Sequence, residues 1–343
     1  MGGTRTKRVI AVEEHFVTDR YWSETQNLAV PRDEEPEHAF MANFPRNGYI
    51  HPRFTNVEKR LEDMDAAGID LSVLSLNPPG AQIYADTARA TGLAKEMNDA
   101  LAELIHQHPG RFAGLGAVAP QDPQAAAAEV ARVVRTLGFG GVLIGSHTHG
   151  HYLDEPEAEP LLEALVGEDA TLYLHPRSPS PQMLAPFSNY GMVAALWGFQ
   201  AEAGTHAMRL ILSGTLDRYP TLKIVLGHLG EALPYWFWRL DNIYEKTLGW
   251  AGDQLRMVKL KLKPSEYILR NFTLTTSGMF DEDVFAFAQH VVGAQRLMFA
   301  VDYPYEDSKV ATKFLGELDL CDEDRALVSH ANAERLFRIP QQV

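Results

Sequence analysis

Short runs rich in β-branched and other apolar residues alternate along this chain with longer segments of helical period. RVIAVEEHF opens as a strand, VEKRLEDMDAAGI reads as a helix closed by Gly68, DLSVLSLN is strand-like, and Ala85 to His108 carries a long alanine-rich helical pattern. RFAGLGAVAP, GGVLIGSH, TLYLHP, KIVLGHLG, FTLTTSG and LMFAVDYP supply six further strands. Helices over Pro123 to Gly138, Glu155 to Glu168, Phe199 to Leu212 and Glu282 to Val292 separate them. Eight strands alternating with helices predict a (β/α)8 barrel rather than an open doubly wound sheet. Neither GxGxxG nor GxxxxGK follows any strand, so no phosphate-binding loop competes with that reading.

Two stretches depart from the repeat. Residues 17 to 55 are rich in proline, aromatics and mixed charge, and too long for an ordinary connection, which predicts an active-site lid or a subunit contact after the first strand. Leu248 to Asn271 ends in KLKLKPSEYILRN, which reads as a basic loop and a short helix before the seventh strand. No domain boundary is visible, so residues 1–343 are expected to form a single barrel domain.

Composition narrows the partners. At 343 residues and 45% hydrophobic, the chain can bury a large core. A formal charge of -14 argues against a nucleic-acid or membrane surface and leaves a small-molecule substrate as the expected partner. Cys321 stands alone and can build neither an internal disulfide nor a thiolate metal cage. No secretory h-region precedes the first strand and no apolar run is long enough to span a bilayer, so the expected location is cytoplasmic.

The candidate chemistry lies where polar residues interrupt the downstream ends of apolar strands. Glu13, Glu14 and His15 end the first strand, His175 the fifth, His228 and Glu231 follow the sixth, and Asp302 follows LMFAV. Parallel barrel strands converge at that end, so residues far apart in sequence can surround one ion. Glu13 and His15 are two apart and share a strand face, while Glu14 points to the other. A carboxylate after LMFAV is costly to bury unless paired or metal-bound. Each residue alone also fits an exposed strand end or a satisfied core histidine, and only their joint occurrence favours two histidines and two carboxylates around a divalent cation. His147, His149 and His151 resemble a second metal tract, with loop packing the blander reading. The YWFW run at Tyr235 to Trp238 reads as helix packing and a subunit interface rather than a cofactor box. Asn77 and Tyr305 are candidates for contact with an aromatic ring.

The motifs VEEHF, LHP, GHLGEALPYW, FAVDYP and NAERLF resemble the metal-dependent decarboxylase branch of the amidohydrolase superfamily, from first strand to last helix. That branch includes the gamma-resorcylate, 2,3-dihydroxybenzoate and 5-carboxyvanillate decarboxylases. VAPQDP, SHTHGHYLDE and MFAVDYPY are most similar to the last of these, although the chain keeps His15 where 5-carboxyvanillate enzymes can have alanine.

The resemblance implies a distorted (β/α)8 barrel, a homodimer or homotetramer, and one Mn or Zn ion held by Glu13, His15, His175 and Asp302. It places His228, Glu231 and Arg239 around an aromatic acid substrate. The implied reaction is nonoxidative decarboxylation of an ortho-hydroxy aromatic acid, with Asp302 as general acid. His228 and Glu231 would form a charged hydrogen-bonded pair. Arg46 or Arg53 of the lid is a candidate partner for a second substrate carboxylate. A metal-dependent hydrolase or hydratase using metal-bound water is the alternative, and a noncatalytic binding protein on the same barrel is a third reading.

Overall fold

The computed structural model describes residues 8–28, 35, 36, 38 and 48–341. Eight strands lie side by side in sequence order: β1 (Ile10–Phe16), β2 (Leu71–Leu76), β3 (Phe112–Ala117), β4 (Gly141–Gly145), β5 (Thr171–His175), β6 (Lys223–Leu226), β7 (Phe272–Thr275) and β8 (Leu297–Met298). All neighbouring pairs are parallel. Helices fill the connections, among them Val57–Ala67, Thr87–Gln107, Pro123–Arg135, Gly198–Leu212 and Glu282–Val292. The barrel expected from the alternation is therefore present.

Local chemistry explains the helix ends. Asn56, Asp86, Asp122 and Asp281 each accept a hydrogen bond from a first-turn backbone N–H, which satisfies donors that have no partner within the helix. Gly68, at φ +75°, ends the helix Val57–Ala67 in a left-handed cap as its sequence position suggests. The helix Pro264–Asn271 fills the expected place before β7, and the helix Phe237–Ala251 runs through Leu248, where the second irregular stretch was expected to begin.

Two apolar layers hold the barrel. Ile10, Val12, Leu71, Val73, Leu115, Leu143, Tyr173, Val225 and Met298 pack inside it, and Leu336, Phe337 and Ile339 of the C-terminal segment plug its far end. A larger cluster, including Ala11, Leu74, Ile144, Leu172, Leu174, Ile224 and Leu226, lies between strands and helices. On β1 the alternation is interrupted. The register with β2 shifts between Ala11 and Glu14, and this bulge resets the phase so that Glu13 and His15 continue on the interior side already taken by Ile10 and Val12.

The last strand is shorter than LMFAVDYP suggests. Its ladder with β7 ends after Met298 because the following backbone groups bond elsewhere. The Phe299 N–H donates to Val328, and Ala300 exchanges two 3.0 Å hydrogen bonds with the Thr276 hydroxyl. The chain then meets β1 through a single parallel bridge, Glu14 to Tyr303, flanked by Asp302 N–H to Glu13 carbonyl at 3.1 Å and His15 N–H to Tyr303 carbonyl at 2.8 Å. That seam closes the barrel and brings Glu13 and His15 beside Asp302.

The lid expected over residues 17 to 55 falls partly outside the described residues, and so does Arg46. Its described parts include the helices Asp19–Asn27 and Ile50–Thr55. No helix among the described residues is long and apolar enough to cross a membrane.

Candidate active site

At the C-terminal mouth of the barrel, Glu13, His15, His175 and Asp302 present one ligand atom each, all within 4.8 Å of one another. His175 Nε2 lies 3.2 Å from Glu13 Oε1, and His15 Nε2 lies 3.4 Å from Asp302 Oδ1. The three atoms Glu13 Oε1, His15 Nε2 and His175 Nε2 are buried without a hydrogen-bond partner. Buried polar atoms carry a desolvation cost unless something satisfies them, and three converging on one point fit a cation.

The supporting contacts aim these atoms. The His175 Nδ1–H donates to the Pro176 carbonyl at 2.7 Å, which leaves Nε2 as the free lone pair when the ring is neutral. Ser75 Oγ lies 3.2 Å from His15 Nδ1 and plays the same part for that ring. The Tyr173 hydroxyl donates to Glu13 Oε2, and Thr275 Oγ1 donates to the same oxygen at 3.2 Å, so Oε1 alone is left to face the cluster. A Cβ at Gly227 would stand 3.2 Å from Glu13 Oε2 and 3.3 Å from Ser277 Oγ, a crowding that only glycine avoids at this strand exit. Tyr173, Ser75, Thr275 and Ser277 escaped the sequence reading. Tyr173 had a readable signal, since it precedes His175 by two residues on one strand and must share its face.

After β6 the backbone turns left-handed for five residues, with φ of 49° at His228, 52° at Leu229, 83° at Gly230, 52° at Glu231 and 62° at Ala232. Four of the five carry a Cβ, and such conformations cost on the order of 1 kcal/mol each, so the surrounding contacts must impose them. Ser277 Oγ accepts the His228 N–H at 3.1 Å. The turn sets His228 Nδ1 2.8 Å from Glu231 Oε1 and His228 Nε2 3.7 Å from Asp302 Oδ2.

Charge balance follows from these distances. Burial disfavours charge on His228, but the Glu231 carboxylate, which accepts from its Nδ1–H, and the nearby Asp302 carboxylate outweigh it and raise its pKa well above the usual imidazole value. Burial alone would raise Asp302, yet the His15 and His228 imidazoles that face it hold its carboxyl below the usual carboxylate range. His15 is lowered chiefly by burial, which favours the neutral ring that a metal ligand requires.

A cavity of about 260 Å³ opens over this cluster, lined by Asn77, Pro78, His175, Pro176, Ala194, Ala195, Phe199, Gln200, His228, Gly278, Met279, Asp302, Tyr305 and Glu306. Both ring-contact candidates are in it. The Tyr305 hydroxyl donates to Asn77 Oδ1 at 2.8 Å, and the Tyr305 ring lies 6.0 Å from that of His15. The apolar wall of Ala194, Ala195, Phe199 and Met279, and the carboxylate of Glu306, were not singled out from the sequence.

Other expectations fall away from the site. Arg239 is exposed on the helix Phe237–Ala251 and does not line the cavity of its own chain. Arg53 is engaged by Asp63 at 2.9 Å and lies 3.9 Å over the Tyr49 ring, also outside the cavity lining. The three loop histidines diverge: His147 Nε2–H donates to the Ser178 carbonyl at 3.0 Å, His149 faces Glu35 at 3.6 Å, and His151 pairs with Glu155 at 2.8 Å. Among the described residues only the first cluster has the geometry of a metal site. Of the YWFW run, Phe237 packs against this chain's core as expected, whereas Tyr235 is 74% and Trp238 76% exposed.

Fold and site together define a metal-dependent enzyme of the (β/α)8 class, with two imidazoles and two carboxylates suited to one divalent cation. Residues 50–339 match the amidohydrolase family, and a gamma-resorcylate decarboxylase of Polaromonas sp. (strain JS666) is 35% identical over 340 residues, 96% of this chain and 98% of that one. The chain belongs to the amidohydrolase family, and within it to the metal-dependent carboxy-lyases. Solved structures agree. A 5-carboxyvanillate decarboxylase from Sphingomonas paucimobilis is 39% identical, with a TM-score of 0.90 over 98% of this chain and 100% of that one. The 5-carboxyvanillate decarboxylase of Novosphingobium aromaticivorans, complexed with manganese and 4-hydroxy-3-methoxy-5-nitrobenzoic acid, is 37% identical, with a TM-score of 0.93 over 98% of each chain.

Proposed function

We propose that this enzyme decarboxylates an aromatic acid bearing a hydroxyl ortho to its carboxylate, with Glu13, His15, His175 and Asp302 as metal ligands. The observation that carries the reading is the convergence of three unpartnered buried ligand atoms and Asp302 beneath a cavity of aromatic size. Those four residues would hold manganese or zinc, which would supply Lewis-acid chemistry toward the acid's anionic oxygens. The neighbour that holds manganese and a hydroxy-nitrobenzoic acid supports both the metal and the ligand class.

The chain's residues supply the proton chemistry. Phe199, Met279 and Pro78 form apolar cavity wall against which a ring can pack, while Tyr305 and Asn77 offer it polar contacts. Asp302 rests ionised, so it must gain a proton before it can give one. The substrate hydroxyl and the protonated His228, 3.7 Å away, are its two sources in this reading. Asp302 then delivers the proton to the carboxyl-bearing ring carbon. The bond to the carboxylate breaks, its electron pair restores the aromatic ring, and carbon dioxide leaves. Glu231 orients His228 and favours its protonated form.

The protein is proposed to work as a cytoplasmic homo-oligomer on small molecules, with no nucleic-acid or membrane partner. Tyr235 (74% exposed), Trp238 (76%) and Trp250 (73%) project from one helix and the turn before it, a concentration of bare aromatic surface that a second copy would cover. Arg239, on the same helix, could contact substrate only across such an interface.

The hydrolase alternative uses the same ligands, but the relatives favour decarboxylation. Carbon dioxide release across hydroxybenzoates and 5-carboxyvanillate, run with manganese beside ester and lactone hydrolysis, tests the assignment. Hydrolysis without carbon dioxide release would reverse it.

A further inference from the structure

The seam where β1 meets the chain after β8 joins two halves of the ligand set. Glu13 and His15 come from one side and Asp302 from the other, yet only one parallel bridge crosses it. Asp302 itself sits at φ +76°, a conformation that a residue with a Cβ does not hold unaided. Something must fix both the gap and that backbone.

Glu14 occupies the place from which this can be done. It is 2% exposed, and strand alternation turns its side chain away from the metal ligands on either side of it. Its Oε1 accepts the N–H of Val301, the residue immediately before Asp302, at 3.1 Å, and so ties β1 to the returning chain by a side-chain bond that runs beside the backbone bridge.

A second buried group works on the same seam. Arg60, 3% exposed, donates to the His15 carbonyl and, at 3.0 Å, to the Arg53 carbonyl, while its guanidinium lies 4.5 Å over the Tyr303 ring. The Tyr303 hydroxyl in turn donates to Asp63 at 3.0 Å. Glu14 and Arg60 thus grip both strands from behind the ligands without touching the cavity.

We infer that Glu14 is a positioning residue: its hydrogen bond to Val301 holds the Asp302 carboxylate at the distance from Glu13 and His15 that a shared cation needs. Asp302 is also the proton donor of the proposed reaction, so Glu14 governs both metal affinity and the proton-transfer step. The inference rests on the ligand set proposed above. Groups that orient a metal's ligands typically control affinity or activity by about 10–100-fold.

The test compares Glu14→Gln, Glu14→Asp and Glu14→Leu, reading manganese affinity by titration calorimetry, thermal stability of the metal-stripped protein, and kcat and KM at saturating manganese. Gln keeps a carbonyl oxygen of the same reach and is expected to stay within about twofold of wild type in affinity. Asp withdraws the acceptor by one methylene and Leu removes it. Both are expected to bind manganese about 10–100-fold more weakly and to lose kcat more than KM. Should Leu fail to fold, Asp and Gln carry the comparison. Wild-type manganese affinity in a folded Asp or Leu variant would overturn the inference, as would an equal loss in Gln and Asp. Glu13→Gln serves as the control for the ligand set. If it binds manganese normally the ligand reading fails, whereas normal binding by Glu14→Asp or Glu14→Leu alone sinks only the role of Glu14.

Discussion

His228 Nδ1 lies 2.8 Å from Glu231 Oε1 although the two residues are only three apart on a chain leaving a β-strand. A right-handed helical turn brings such neighbours together routinely. Here the same approach is made by a left-handed turn, which points His228 Nε2 at Asp302 instead of along a helix surface. The ion pair therefore serves the cavity.

Loss of that pair should separate chemistry from metal binding. We expect His228→Asn to lower kcat by about 10²–10⁴-fold, the usual worth of a positioned acid–base group, while manganese content stays at the wild-type level. Glu231→Gln should show a smaller loss of the same kind. Steady-state kinetics with elemental analysis of each variant checks this, and a fully active His228→Asn enzyme would remove the residue from the mechanism.

Metal removal should abolish activity and lower stability together, because three buried ligand atoms lose their counter-charge. Readdition of manganese at about 100 times its dissociation constant should restore about 2.7 kcal/mol of stability by mass action. Thermal melts of chelated and reloaded protein measure it. Full activity in chelator would rule out the metal reading.

Substrate preference should depend on the ortho hydroxyl and not on Arg53. Benzoates lacking that hydroxyl are expected to act at best as weak inhibitors, since they bind through fewer oxygens and lack its electron donation to the ring. Arg53 is engaged by Asp63 and Tyr49, so Arg53→Ala should leave the ranking of salicylate, dihydroxybenzoate and 5-carboxyvanillate substrates unchanged. Carbon dioxide release across the panel in both proteins decides the matter. Rapid turnover of a benzoate without the hydroxyl would contradict the first expectation, and a reordered ranking the second.

Acid stability should reveal His206, which is buried away from the metal cluster. Burial, the largest influence, lowers its pKa from 6.5 to about 4, and the neutral ring accepts the Leu153 N–H through Nε2 at 3.0 Å. Between those two values the unfolded chain binds more protons than the folded one. The contribution is thus fully present above pH 6.5 and is lost as pH falls towards 4, on the order of 3 kcal/mol. A His206→Gln variant should show a shallower decline over that window in urea melts taken at successive pH values. Parallel curves would show that His206 does not titrate on unfolding.

The sequence by itself determined the alternation of strands and helices, because periods of 2 and 3.6 are written in which residues can be buried. It also singled out the candidate ligands, since Glu13, His15, His175 and Asp302 interrupt strands whose ends must converge in a barrel. Tertiary structure decided how those residues are aimed. Unbroken alternation from Ile10 and Val12 would have sent Glu13 and His15 outward with Ala11, and only pairing with β2 reveals the bulge that turns them in. The five-residue left-handed turn at His228 is likewise invisible, since four of its members carry a Cβ that argues against it. Arg239 matches the motif, yet the direction of its helix puts it outside the cavity. Periodicity records what each residue does to its own segment. A ligand's aim depends on contacts between segments up to 289 positions apart, such as the Asp302 N–H bonded to the Glu13 carbonyl, and these exist only once the barrel has closed.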